Sequence, residues 1–227
     1  MKKNILRLSI WEKKHGIKIT LNHNDKMSGL SSISTSPLCN GSCVKKANHK
    51  PTGNRKLICN RCYSVTMNKR FKNLNAMLKT NFEKLTTELL TDFPYLYSET
   101  GYFRIEAFGD LANTTQAINY LQIAIHNPQV KIAWWTKNPW FIDWALKESG
   151  LKKPKNLTII GSSYFIDEPM DDYFRQFDFI DYCFTVYSGQ KIKAENINIT
   201  CGARSCADCG KCYERKHASY SITEKLK

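Results

Sequence analysis

Eight of the nine cysteines in this 227-residue chain fall in two short windows, Cys39/Cys43/Cys59/Cys62 and Cys201/Cys206/Cys209/Cys212, and no other feature constrains the fold as strongly. Thiols at this density either pair as disulfides or hold metal, and the redox compartment decides which. The stretch from Met1 to Trp11 carries Lys2, Lys3 and Arg7, but its apolar run is broken by Arg7 and Ser9, so it does not read as a signal peptide. A reducing, cytoplasmic compartment is therefore expected, where thiols stay free or ligate metal. Cys183 stands apart in an apolar strand-like run and reads as a buried structural thiol.

The C-terminal window has the spacing C-x4-C-x2-C-x2-C, with Gly202, Ala203, Ala207 and Gly210 between the cysteines. A single zinc ion gathers thiolates at about 2.3 Å, usually from two turns separated by a longer spacer. An iron–sulfur cubane presents corners farther apart, which four cysteines strung through twelve residues can each reach. This window therefore favours a four-iron cluster, with zinc as the alternative. The N-terminal window, Cys39-x3-Cys43 and then Cys59-x2-Cys62, resembles a zinc ribbon on spacing alone, so zinc leads there. His49 lies inside that loop as a further candidate ligand, although a histidine in a basic loop is more often solvated.

The rest of the chain sets the scaffold. Leu6, Leu8, Ile10 and then Ile17, Ile19, Leu21 alternate around a polar break, which predicts an N-terminal β-hairpin over residues 1–30. Lys45–Lys56 is polar and basic and reads as a solvated loop. Phe71, Leu74, Leu78, Phe82, Leu85 and Leu89 recur at steps of three and four, marking one long amphipathic helix that ends before Pro94. Strand-like runs then alternate with helical ones: Tyr102–Phe108, a helix from Thr114 to His126, Lys131–Thr136, a helix from Pro139 to Glu148, Leu157–Ser163, a short helix from Pro169 to Phe177, and Phe179–Tyr187. Thr114 is placed to cap its helix, Pro139 suits a first turn and Gly150 suits a C-terminal cap.

That alternation predicts a single α/β domain over 1–227, either an open α/β sheet or, as the preferred reading, a partial (βα) barrel of about five units in residues 31–190, with a cysteine-rich segment over 191–227. Ligands of such folds bind beyond the carboxyl ends of the strands. The loops expected there include Gly109-Asp110, Lys137-Asn138, Ser162-Ser163 and Ser188-Gly189, so both cysteine windows are expected to converge on one face rimmed by Asp110 and Lys137.

The run CNRCYS (Cys59–Ser64), followed by a long helix, FRIEAFGD (Phe103–Asp110), WWTKNP (Trp134–Pro139) and the closing CGARSCADCGKC (Cys201–Cys212) resembles the bacteriophage gene product 88 family over roughly residues 35–213. The resemblance implies a phage-encoded iron–sulfur protein of the host cytoplasm, with a barrel like that of radical S-adenosylmethionine enzymes. The insertion Val44–Ile58 departs from the family's compact first window and from the contiguous C-x3-C-x2-C of those enzymes. If a cluster keeps an open iron, S-adenosylmethionine is the implied second cofactor. Asp110 would then accept hydrogen bonds from a substrate amine or ribose and Lys137 would neutralise a carboxylate or phosphate, with a small molecule or redox protein as partner.

A net charge of +14, from 34 basic and 20 acidic residues, would attract a polyanion. A second function class is therefore a zinc-stabilised nucleic-acid-binding protein, in which Trp134, Trp135, Trp140, Trp144 and Tyr213 could stack bases, although their places in strands and helices favour core packing. No phosphate-binding glycine loop, G-x-S-x-G elbow or H-E-x-x-H motif is present. No apolar run approaches the roughly 20 residues needed to span a bilayer, so a membrane partner is not expected.

Overall fold

A computed structural model of the chain describes residues 2–23 and 25–226; Met1, Asn24 and Lys227 lie outside the described residues. Helix α1 (Lys2–His15) precedes strands β1 (Ile19–Leu21) and β2 (Ser31–Ile33). Helices α2 (Gly41–Asn48), α3 (Tyr63–Arg70) and α4 (Lys72–Thr87) lead to β3 (Tyr102–Ile105). Then follow α5 (Thr114–Ile125), β4 (Lys131–Thr136), α6 (Pro139–Ser149), β5 (Leu157–Ser162), α7 (Asp171–Arg175) and β6 (Tyr182–Tyr187). Last come α8 (Gly189–Glu195), the one-turn helices α9 (Cys206–Cys209) and α10 (Lys211–Glu214), and β7 (Ser221–Lys225).

The seven strands form one sheet in chain order, antiparallel between β1 and β2 and parallel from β2 through β7. The sheet does not close into a barrel: β1 and β7 are its two edges. Right-handed crossovers between strands in this order lay the helices on one face. There Ile33, Phe103, Ile105, Ile132, Trp134 and Ile159 are buried with Trp11, Leu85, Leu121 and Ile142 from the helices. The opposite face is also covered. Ala133, Ile160, Tyr182 and Ile222 lie under Cys201, Cys206, Cys212 and Tyr213, so residues 201–213 blanket the strands that the helices leave bare. Two covered faces explain why β5 is buried along its whole length, as parallel strands usually are.

Three elements differ from the sequence expectation. The predicted hairpin over 1–30 is instead helix α1 followed by β1, which pairs with β2. Trp11 is buried and Leu8 half-buried on one helical face, while Ile5, Leu6 and Ile10 are exposed; the alternating apolar residues coincided with a helical period of three to four. The predicted solvated loop Lys45–Lys56 begins as helix, because Asn40 caps α2 by accepting from the amides of Ser42 and Cys43. The predicted long helix is shorter. Phe71 adopts extended backbone and separates α3 from α4, and both Phe71 and Leu89 lie outside α4, exposed. Asn113, not Thr114, caps α5 by accepting from the Gln116 amide at 2.9 Å. Pro139 does open α6, and Gly150 closes it at φ +66°. Among the described residues no helix is long and apolar enough to cross a membrane.

Candidate metal centres

The N-terminal cysteine window hangs over the carboxyl ends of the central strands. Asn40, buried after the β2 end, fixes Cys43 in the first turn of α2 through its side-chain oxygen and donates its amide to the carbonyls of Asp110 (2.7 Å) and Leu111 (3.2 Å). The chain then crosses to the far side. Ile58 donates to the Tyr164 carbonyl and Ile166 to that of Lys56, which pins the tight turn bearing Cys59 and Cys62 beyond β5. The window so spans from β2 to β5, with Asp110 and Lys137 at the intervening ends of β3 and β4.

Cys43, Cys59 and Cys62 form an electrostatically coupled set. Burial pushes the Cys43 and Cys59 thiols up; Asp110 raises both further, and Lys46 opposes, joined at Cys59 by Lys137. Burial also lowers the Lys46 ammonium, against the pull of Asp110 and Cys59. Lys46 donates to Asn138 Oδ1 at 2.6 Å and sits 4.9 Å from the centroid of the Tyr164 ring. Cys39 ends the turn before α2, its amide on the Ser36 carbonyl. His49 is exposed at the end of α2, where its carbonyl accepts from Asn60.

Asp110 is 7% exposed and already engaged. Its Oδ1 accepts from Thr136 Oγ1 (2.7 Å) and the Leu111 amide (2.8 Å), and its Oδ2 from the Lys137 amide (3.0 Å). A carboxylate has about four acceptor sites, so one remains for a ligand. Lys137 Nζ donates to Ser162 Oγ, and the Lys137 carbonyl accepts from the Tyr164 hydroxyl. Ser163 pairs with Thr185 inside the core, and Ser188 caps α8 while held by Asp167.

The C-terminal window is organised differently. Cys201, Cys206, Cys209 and Cys212 line one small cavity of about 30 Å³ with Trp135, Lys26 and His217. Cys201 donates its amide to Thr223 of β7. Lys26, from the turn between β1 and β2, donates to the Cys201 carbonyl (3.0 Å) and Sγ (3.4 Å) and pairs with Glu224 at 2.5 Å. Ser205 caps the turn carrying Cys206 and Cys209. His217 Nε2 lies 3.2 Å from Cys212 Sγ. Beneath, the Arg104 guanidinium stacks 3.2 Å from the Trp135 ring centroid and Tyr102 stacks on Tyr213 at 4.8 Å.

Burial pushes Cys212 up to about 12 and raises Cys206 and Cys201; the other thiols of the window add to each rise, while Arg104 opposes it at Cys206 and Cys212 and Lys26 opposes it at Cys201 and Cys206. Four thiolates gathered this way repel one another and need a positive centre to ionise together. As they stand, no three Cys, His, Asp or Glu side chains among the described residues converge closely enough to hold one metal ion.

The two windows do not meet as expected. The first lies beyond the carboxyl ends of β3–β5, whereas the second covers the non-helical sheet face, and just past it Glu214 accepts from the Tyr102 hydroxyl while Arg215 donates to Leu157 and Thr158 near the strand starts. Sequence reasoning missed Lys26, Lys46, Arg104, Glu106 and His217. Arg104 and Glu106 stand inside the quoted FRIEAFGD run, and His217 follows Cys212 by five residues; Lys26, 175 residues from Cys201, left no local signal.

No family model matches the chain, and no curated protein or solved structure matches it either.

Proposed function

We propose that the chain is a phage-type iron–sulfur protein that holds one or two four-iron clusters, built on a partial (βα) barrel. The observation that carries this reading is that four cysteines spaced C-x4-C-x2-C-x2-C line a single cavity with Lys26 and His217, and the Arg104 charge beneath Trp135 acts on two of them. Cations and donors beside thiolate sulfur lower the cost of an anionic cluster and tune its potential. In the N-terminal window, Cys43, Cys59 and Cys62 are the candidate ligands of a second cluster, with Cys39 as a spare.

Curling of the sheet is supported by the Lys26–Glu224 ion pair, which joins the β1–β2 turn to the opposite edge strand. Five inter-strand steps of about 4.8 Å would put β2 and β7 about 24 Å apart in a flat sheet.

A cluster with three thiolate ligands would supply one-electron reduction at its open iron, with S-adenosylmethionine as the acceptor in the radical reading. The chain's own part is positioning. Asp110 offers its free lone pair to an amine or ribose hydroxyl, and Lys137 and Lys46 offset carboxylate or phosphate charge. Tyr164 and Trp140 flank Lys46.

Protein purified without oxygen is expected to be brown and to carry iron and acid-labile sulfide. Replacing Cys206 and Cys209 with serine should remove the share of iron held by the C-terminal window. Colourless protein containing zinc, or iron content unchanged by the double replacement, overturns the reading. Release of 5′-deoxyadenosine from S-adenosylmethionine by the reduced protein tests the radical branch.

A further inference from the structure

Residues 26–82 contain eleven Lys and Arg and no Asp or Glu, so eleven of the fourteen net positive charges belong to this quarter of the chain. At the average acid content of the chain, about five carboxylates would be expected in a stretch of this length. The structure puts the stretch in one region: it builds β2, α2, α3 and most of α4, together with the loop that overhangs the carboxyl ends of β3–β5. Lys45, Lys50, Arg61, Lys69, Arg70 and Lys72 are exposed, and among the described residues none has an acidic partner within 4 Å. Within the stretch Arg55 pairs with Glu168 and Lys79 with Glu83, each acid lying outside it.

Two exposed aromatics stand among these charges. Phe71 is 43% exposed at the joint of α3 and α4, with the Arg70 guanidinium 5.3 Å from its ring centroid, and Tyr63 is 56% exposed at the start of α3. Unpaired like charges on one surface cost stability through mutual repulsion and add nothing to packing. Cations interleaved with exposed rings fit a strand of phosphates carrying stackable bases. Within the same stretch Lys46 is half-buried, 4.9 Å from the Tyr164 ring centroid and 5.8 Å from that of Trp140.

We propose that this face is a binding site for single-stranded nucleic acid, whose phosphates lie along Lys45, Lys50, Arg61 and Lys69–Lys72 and whose bases stack on Phe71 and Tyr63. The proposal goes beyond the metal reading and does not depend on it: Lys45, Lys50 and Arg61 lie between the cysteines of the first window and Tyr63 and Lys69–Lys72 follow it, and none of these side chains is a candidate metal ligand.

The test is fluorescence anisotropy of labelled 20-nucleotide oligo-dT and oligo-U against salt, with iron measured on the same samples. Six phosphate contacts give a slope of about −4 in log affinity against log salt, a loss of about 300-fold between 50 and 200 mM. K69E/R70E/K72E should bring the slope to about −2 and weaken binding by at least tenfold at 50 mM. K152E/K155E/K193E changes the same number of exposed, unpaired lysine or arginine charges elsewhere and should keep most of the affinity. Equal loss in both variants, a flat salt dependence, or preference for vesicles of phosphatidylserine and phosphatidylcholine over both oligonucleotides overturns the proposal. Loss of binding in the first variant at unchanged iron content and circular dichroism supports it, whatever metal is found.

Discussion

Gly109→Ala probes how the β3 end places Asp110. Gly109 has φ +84°, and a Cβ built there would lie 2.6 Å from the Thr35 carbonyl oxygen, 2.7 Å from Thr35 Oγ1 and 2.8 Å from Glu106 Oε2. None of these can yield cheaply. Thr35 is fully buried, its amide and hydroxyl both donate to the Glu106 carboxyl, and that carboxyl also accepts from Gln116 and Tyr120. The left-handed backbone costs an alanine about 1–2 kcal/mol. Overpacking against a rigid carbonyl adds about 1–3 kcal/mol. For a domain of this size each kcal/mol lowers Tm by about 2–4 °C, so a loss near 4 kcal/mol means a drop of about 8–15 °C by scanning calorimetry. Gly150→Ala is the control, because its φ is +66° and no atom lies within 4 Å of the added Cβ. It should lose about 1 kcal/mol, for the backbone term alone. If Gly109→Ala melts no lower than Gly150→Ala, the close packing of Thr35, Glu106 and Gly109 is not what holds the strand end.

Two further outcomes follow from the same corner. Burial lifts the Glu106 carboxyl to about 8 against the hydrogen bonds from Tyr120 and Thr35. Because the folded value lies above the ordinary 4.5, the native state keeps a proton that the unfolded chain has lost. Stability should therefore fall as pH rises from about 4.5 to about 8 and level off above, a slope that Glu106→Gln removes in urea titrations; a wild-type profile flat over that window refutes the reasoning. Asp110→Asn sets an amide against one of three inward donors and should cost about 1–3 kcal/mol by urea midpoint. A variant as stable as wild type would show that those hydrogen bonds are not what holds Asp110 to the β4 end.

Much of the strand and helix order was legible because its signals are local. Lys131–Thr136 carries continuous apolar residues bounded by a turn and a proline, and the strand has those limits. The α/β class followed from that alternation. The N-terminal helix was misread because Leu6, Leu8 and Ile10 satisfy a period of two while Leu8, Trp11 and His15 satisfy a period of three to four; burial of Trp11, its indole donating to the Asp92 carbonyl, selects the second. That contact spans 81 residues, and no window of sequence contains it. The same limit applies to the sites. Cysteine spacing pointed to ligands, but the cations around them come from distant elements, Lys26 through the β1–β2 turn and Arg104 through β3.

The arrangement of the two windows on one sheet carries a consequence for their roles. Trp135 of β4 lines the C-terminal cavity, while Lys137, two residues on, faces the Cys59 thiol, so the same strand end adjoins both sites. Strand pleating explains this: a side chain pointing to the non-helical face and a residue just past the strand's carboxyl end are separated by roughly 7 Å along the backbone. The C-terminal window is half-buried, aromatic-lined and tied to both sheet edges, features that favour holding a centre in place. The N-terminal window is roofed by a loop, flanked by Asp110, Lys46 and Lys137, and bordered by the unpaired cations of α2, α3 and α4. In the iron–sulfur reading proposed above, substrate would enter on the N-terminal side, and a C-terminal centre would serve to stabilise the sheet and to store electrons behind it.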